Sequence, residues 1–417
     1  MSDEPGPPVS PHGDADGESA SLYLPPLERP DYPGGWTDYG RTTSGTARGQ
    51  ADGAGPQPGD TLPLGAEPPD VDGLRLDRLT AIRDLTRNAP TTMKIGMWGS
   101  PASGKSTLLA ALQHATGHAH RSLGRWGLFP LTEESKELLI SWNQRLVTDR
   151  KFPEATKAAT PELGWRFRGD LAGSRYQPLS RRLRGVPEPS SFDLDLIDVT
   201  GEVFGPRPAD NDVPVEVVTR TLNHLANARG LIYLFDPITE RKIPTVAQYM
   251  NRPLAELLTL VESRGRTVQG RLPHYISVCV TKFDDPRLFQ QACRTGFVNT
   301  GPDGRPRVLD KHAKRFFDAL CSGQFWEEPD ERGTNGPRFV RDMLRQYFHP
   351  ARTRYYVTSS IGFNLGADGQ FDPSRYSMVR EEEEEEGLRI IGPIEPINVL
   401  EPLVDLYVDL RRREMIR

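Results

Sequence analysis

The chain has 417 residues, enough for two average domains or one large domain carrying insertions. Its 52 Lys and Arg stand against 57 Asp and Glu, and a net charge of −5 supplies no global field toward nucleic acid or anionic lipid. Three cysteines (Cys279, Cys293 and Cys321) without metal-ligand spacing argue against a disulfide framework, and no apolar run nears the ~18 residues that cross a bilayer.

The opening MSDEPGPPVS lacks the pattern of a signal peptide, so the expectation is a cytoplasmic protein with no membrane span and no nucleic-acid partner. Residues 1–72 are rich in Pro, Gly, Ser and acidic side chains, too apolar-poor to offset their ordering entropy, and read as a disordered tail. The folded domain is expected over 73–417. It opens with a helix over 73–88, where Leu76, Leu79, Ile82 and Leu85 recur at helical spacing before Asn88 and Pro90.

Six strands are predicted next, at 93–98, 163–168, 192–198, 230–235, 275–280 and 354–359. The first, fourth and fifth are nearly continuous apolar runs, the pattern of central parallel strands covered on both faces. The third, FDLDLID, alternates and is expected nearer an edge. Helical spacing marks 105–114, 133–148, 245–263, 309–321 and the closing stretch 398–413. Strands alternating with helices give an α/β fold: a doubly wound, mostly parallel six-stranded sheet with insertions near 115–160, 295–350 and 366–392. The last insertion holds six glutamates at 381–386, read as a solvated loop.

Three of the predicted strands end in residues with chemistry. After the first, GSPASGKS at 99–106 fits G-x-x-x-x-G-K-S/T and runs into a helix. Backbone N–H groups around Ser100, Ala102 and Ser103 can converge into an anion nest, completed by the positive helix end at Ser106 and Thr107. Gly99 and Gly104 permit torsions and close approach that a Cβ would block. Lys105 suits the β- and γ-phosphates, and the Ser106 hydroxyl suits Mg²⁺. Pro101 removes one N–H donor and stiffens the turn. The stretch therefore predicts nucleoside triphosphate binding.

The third strand delivers Asp198, placed to hold Mg²⁺ through a water, and Gly201 follows with an N–H for the γ-phosphate. Asp193 and Asp195 read as exposed carboxylates. After the fifth strand, VTKFDD supplies Thr281, Lys282 and Asp284 in the pattern N/T-K-x-D. One carboxylate can accept from guanine N1–H and its 2-amino group together, which adenine cannot match; a buried polar group left unpaired by the wrong ligand discriminates by ~10⁴–10⁵. The Lys282 stem can lie along the base, and Thr281 can tie this turn to the phosphate turn. After the sixth strand, Thr358, Ser359 and Ser360 can set a backbone N–H against guanine O6.

In this order the motifs resemble the G domain of the translation-factor-related, Ras-like (TRAFAC) class of P-loop GTPases. The likeness spans about 93–415: 99–106 matches the first motif, 198–201 the third, 281–284 the fourth and, more loosely, 358–360 the fifth. The long insertion before KFPEAT and the closing PINVLEPLVDLY resemble bacterial double-GTPase-type proteins of multigene defence or conflict systems. The resemblance implies a second-motif threonine on Mg²⁺ and the γ-phosphate, Thr160 or else Thr156. It also implies that Lys105, Thr160 and Glu202 form the hydrolytic set. Glu202 stands where the class usually carries a glutamine, which points to slow intrinsic hydrolysis assisted by a partner or dimer contact. Arg181, Arg182 or Arg184 can serve in cis, or simply form a solvated basic loop. The implied function is a Mg²⁺-dependent, GTP- and GDP-binding regulatory GTPase with a protein effector or activator, a homodimer being left open. Two alternatives stand beside it: an ATPase in which Asp284 is structural, and a non-hydrolysing, nucleotide-stabilised scaffold, which Glu202 and Pro101 favour.

Overall fold

Thr92–Gly99 forms β1, whose inner residues Met93, Ile95, Met97 and Trp98 are all buried. It belongs to a computed structural model that describes residues 92–117, 123, 125–154, 164–170, 191–198, 215–242, 246–301, 303–323, 325–326, 335–366, 368–381 and 388–416. The expected tail 1–72, the helix 73–88, Thr156, Thr160, Arg181, Arg182, Arg184, Gly201, Glu202 and the glutamates after Glu381 lie outside the described residues.

In chain order β1 is followed by α1 (Lys105–Gly117), β2 (Arg125–Pro130), α2 (Glu133–Asn143) with a π-helical turn to Thr148, β3 (Gly164–Asp170) and β4 (Ser191–Asp198). Then come α3 (Val215–Asn227), β5 (Gly230–Phe235), α4 (Pro237–Lys242), α5 (Val246–Ser263), β6 (Tyr275–Val280) and α6 (Pro286–Arg294). A two-residue hairpin, β7 (Asn299–Thr300) and β8 (Pro306–Arg307), leads to α7 (Asp310–Leu320), α8 (Gly336–Tyr347) and β9 (Thr353–Val357). A second hairpin, β10 (Val379–Glu381) and β11 (Leu388–Ile390), precedes α9 (Glu401–Ile416).

The main sheet has seven strands in the order β2-β3-β4-β1-β5-β6-β9. From β4 to β9 all neighbours are parallel, while β3 runs antiparallel to β4 and β2 antiparallel to β3. All six expected strands are present, and the expected count of six is corrected by β2. Its sequence RWGLFP carries a glycine and a terminal proline, which mask a short alternation. Trp126 and Leu128 are buried while Phe129 is exposed, and Trp126 stacks on Phe167 of β3 with ring centroids 4.8 Å apart. The expectation that FDLDLID lies nearer an edge than the apolar strands is also corrected, because β4 is third from its edge, as far in as β5 and farther in than β6. Alternation reports unequal faces, not a free edge.

Helices cover both faces, so the two side-chain sets of each central strand bury in different cores. Ile232 and Leu234 of β5 join Met97, Leu109, Leu112, Leu403 and Val404 on one face. Leu231, Tyr233 and Phe235 join Leu254, Val278, Phe283 and Phe316 on the other. The closing helix α9 is fastened across β6 and β9: Ser277 Oγ donates to Pro402 O at 3.1 Å, Tyr356 OH to Asp405 at 2.9 Å, and Arg354 forks onto Asp409. In a parallel sheet the C-terminal strand ends share one edge, and ligands of open α/β sheets bind beyond it. That edge carries the turns after β1, β5, β6 and β9.

Candidate functional site

The turn after β1 is wound tightly. Ser103 N donates to Ser100 O at 3.1 Å and Leu108 N to Gly104 O at 2.8 Å, closing the turn and starting α1. Ala102 (φ 61°) and Gly104 (φ 94°) both take the left-handed conformation. Such a sequence of torsions turns successive N–H groups toward one concavity. At Gly99 a Cβ would lie 2.6 Å from Ser103 Oγ and 2.7 Å from Leu234 O, so only glycine fits between the turn and β5. Lys105 is buried, its Nζ donating to Gly99 O at 2.9 Å and Ser100 O at 3.2 Å. Ser106 and Thr107 stand in the first turn of α1, half-buried, and Pro101 sits half-buried on the turn itself.

The turn after β6 meets this loop directly. Thr281, buried, donates its hydroxyl to Ser103 O at 3.0 Å, with Phe235 O at 3.3 Å. Lys282 takes a left-handed φ of 57° and pairs with the wholly buried Asp236 at 2.7 Å. Asp284 accepts a hydrogen bond from Ser359 Oγ, which in turn accepts from Gly362 N at 2.8 Å. Burial pushes the Asp284 carboxyl up to about 6, against the pull of the Ser359 hydrogen bond. The serine hydroxyl fixes the carboxylate's orientation at the sheet edge.

The turn after β9 is read differently once its backbone is followed. Thr358 N donates to Val280 O at 2.8 Å and Ser359 N to Ile397 O at 3.1 Å. Of the three residues expected to set one N–H against guanine O6, Thr358 and Ser359 thus have theirs engaged within the fold, and Ser360 remains the candidate. Ser359 serves the site through its side chain, by holding Asp284.

Gly99, Ser100, Pro101, Ala102, Ser103, Gly104, Lys105, Ser106 and Thr107 therefore sit on the same edge as Thr281, Lys282, Asp284, Ser359 and Ser360. Asp198 ends β4 in register with Met97 of β1, which brings its backbone beside the turn; its side chain is outside the described residues. Thr160, Gly201 and Glu202 lie outside them altogether.

Two acidic residues escape a motif search. Asp236 follows β5 and accepts from Ile238 N at 3.0 Å, Thr239 N at 3.1 Å and Thr239 Oγ1 at 2.6 Å, besides Lys282. Glu240, one helical turn on, accepts from Ser100 Oγ at 3.3 Å and Tyr233 OH at 3.2 Å. The signal for the first was present, since an Asp before Pro at a strand end reads as a helix cap. Nothing local marks the second.

Chemically, the edge offers a tight turn with a lysine and a hydroxyl at a helix start, beside an oriented carboxylate. The first suits an anion of several oxygens, the second a ligand edge with paired donors. Among the described residues no cluster of three or more His, Cys, Asp or Glu could hold a metal, and no helix is long and apolar enough to cross a membrane.

The chain matches no family model and no curated protein sequence. Among solved structures it is similar to a variant of Aquifex aeolicus Era bound to GDP and AlF4⁻, at 11% identity over 64% of this chain and 51% of that one, with a TM-score of 0.26. It is also similar to a GTP-binding protein from the hyperthermophilic archaeon Sulfolobus solfataricus in complex with GDP, at 14% identity over 65% and 55% of the two chains and a TM-score of 0.22. The chain spans about half the length of each of these structures. The class of the chain, an α/β protein with a tight, glycine-bearing turn after its central strand, rests on strand order and on the geometry of the turn at 99–106.

Proposed function

We propose that this chain is a Mg²⁺-dependent guanine-nucleotide-binding protein and a slow GTPase, whose nucleotide state is read by a protein partner. The observation that carries the reading is the bond from Thr281 to Ser103 O, which joins the turn bearing Asp284 to the turn bearing Lys105. A nucleotide whose phosphates lie in the first turn then presents its base to a carboxylate already oriented by Ser359. Guanine N1–H and the 2-amino group suit that carboxylate; adenine leaves it without donors.

Mg²⁺ prefers hard oxygen donors and shares its shell with phosphates and water. The Ser106 hydroxyl, in the first turn of α1, and the carboxylate of Asp198, which ends β4, are the groups that would hold it, with Thr160 as the switch residue. Gly201 would meet the γ-phosphate, and Glu202 in place of glutamine supports slow turnover. A cytoplasmic protein acting in a bacterial defence or conflict system remains part of the reading through the resemblance alone.

The test is equilibrium binding of fluorescent GTP, ATP and XTP with Mg²⁺ to wild type and to Asp284→Asn. GTP is expected to bind wild type well above ATP, and the variant to lose GTP and gain XTP, whose 2-oxo group accepts from an amide. Equal binding of ATP and GTP, unchanged in the variant, would remove the guanine assignment and leave a phosphate-binding turn.

A further inference from the structure

β5 ends on Phe235, and the chain passes through Asp236 into the six-residue helix α4, which belongs to none of the motifs. Two carboxylates of this segment nevertheless meet both of the principal turns, Asp236 through Lys282 and Glu240 through Ser100. Glu240 is wholly buried. Its Oε1 accepts from the Ser100 and Tyr233 hydroxyls, while its Oε2 has no hydrogen-bond partner among the described residues. Ser100 is itself a junction: its carbonyl accepts from Ser103 N at 3.1 Å and from Lys105 Nζ at 3.2 Å. A carboxyl group thus lies one hydroxyl away from the lysine and from the N–H groups that line the turn.

We propose that Glu240, as the neutral acid, is a positioning residue for the phosphate turn, and that its ionisation weakens nucleoside triphosphate binding. The proposal rests on the reading above only in taking the 99–106 turn as the triphosphate site. It does not depend on the base.

Ionising Glu240 would place an uncompensated charge in the interior, against the same turn that must receive the negative phosphates. Burial holds the acid up to about 8, with the Tyr233 and Ser100 hydrogen bonds pulling the other way and Asp236 adding to the rise. The titratable groups around it are Tyr233 from β5, Asp236 at the start of α4 and Cys321 beyond α7. Arg341 and Arg345 of α8, the helix packed on α4, act on that cysteine. The sign follows. Near pH 7 the acid is neutral and the turn is set; as pH rises through about 8 the buried charge appears and opposes the phosphates. By linkage, a bound triphosphate must raise the affinity of Glu240 for its proton.

The experiment is equilibrium binding of Mg–GTP and Mg–ATP to the full chain between about pH 7 and 8.5, at fixed ionic strength, for wild type, Glu240→Gln and Ser100→Ala. Glutamine copies the shape of the neutral acid and keeps an acceptor for both hydroxyls. With a folded value of about 8, wild-type Kd is expected to rise about fourfold over that range beyond the ligand's own titration. In Glu240→Gln the excess slope is expected to vanish. Ser100→Ala should diminish it, because the hydrogen-bonded link from the acid to the turn is cut while the charge itself remains. Parallel slopes in wild type and Glu240→Gln would overturn the proposal, and so would an undiminished slope in Ser100→Ala. If ATP rivals GTP, the base assignment fails while the slope, read on either ligand, still decides the role of Glu240. If neither triphosphate binds wild type, the phosphate-turn reading falls and this proposal falls with it.

Discussion

Thr281 shows how one hydroxyl can join segments 178 residues apart. Its Oγ1 reaches Ser103 O, so the two turns that would hold opposite ends of a nucleotide cannot shift independently. A net protein hydrogen bond contributes about 0.5–1.5 kcal/mol, and a buried acceptor left without its donor costs somewhat more. Thr281→Val keeps the shape and removes the donor. It is expected to weaken GTP and ATP binding alike, by about tenfold, because the geometry of both turns loosens. Titration calorimetry checks this, and a loss confined to GTP would instead make Thr281 part of base recognition. The chemistry-bearing residues on this edge were legible in the sequence because each motif couples fixed spacing to a strand end. Glu240 was not, and Asp236 was legible only as a helix cap, since their value at the site lies in partners at Ser100 and Lys282 that only the folded chain brings near.

At the scale of elements, apolar continuity identified β1, β5 and β6, and helical spacing identified α1, α5, α7 and α9. β2 was missed because Gly127 and Pro130 hide an alternation of only six residues. α8 was missed for a related reason. Its Gly-Pro opening looks like a turn, although Pro337 sits in the first helical turn and Val340, Leu344 and Tyr347 bury one face. The closing helix α9 was legible as amphipathic, but its fastening was not, because that depends on β9. Arg354 of β9 makes a forked ion pair with Asp409 of α9, and the neighbouring aspartates raise the guanidinium above its usual range despite burial. Breaking a buried pair leaves one charge uncompensated and costs about 3–5 kcal/mol; these side chains keep some solvent contact, so about 2–3 kcal/mol is expected for Arg354→Ala. Urea midpoints check it, and Arg354→Ala/Asp409→Ala should lose less than the two single variants summed. A loss below about 0.5 kcal/mol would reduce the pair to a surface contact.

For the whole molecule, two buried titratable groups set opposite pH limits from the same side of the sheet, His274 bonded to Leu225 and Glu240 to Tyr233 of one core. His274, at the start of β6, is wholly buried with one ring nitrogen bonded to Leu225 O at 3.0 Å, and burial pushes it down to about 4. Arg266 and Arg352 push the same way. Because the folded value lies below the ordinary 6.5, the unfolded chain takes up the proton first. His274 therefore costs stability as pH falls from about 6.5 toward 4. Glu240 works in the opposite sense. Its folded value of about 8 lies above the ordinary 4.5, so its favourable contribution is complete below 4.5 and is lost as pH rises toward 8. Differences between variants and wild type cancel the other carboxylates. The unfolding free energy of Glu240→Gln relative to wild type is expected to climb from about pH 4.5 and level off above about 8. That of His274→Gln relative to wild type is expected to climb as pH falls below about 6.5. Urea denaturation at a series of pH values measures both. Flat difference curves would mean that these two groups titrate in the folded chain as they do in water, which their complete burial argues against.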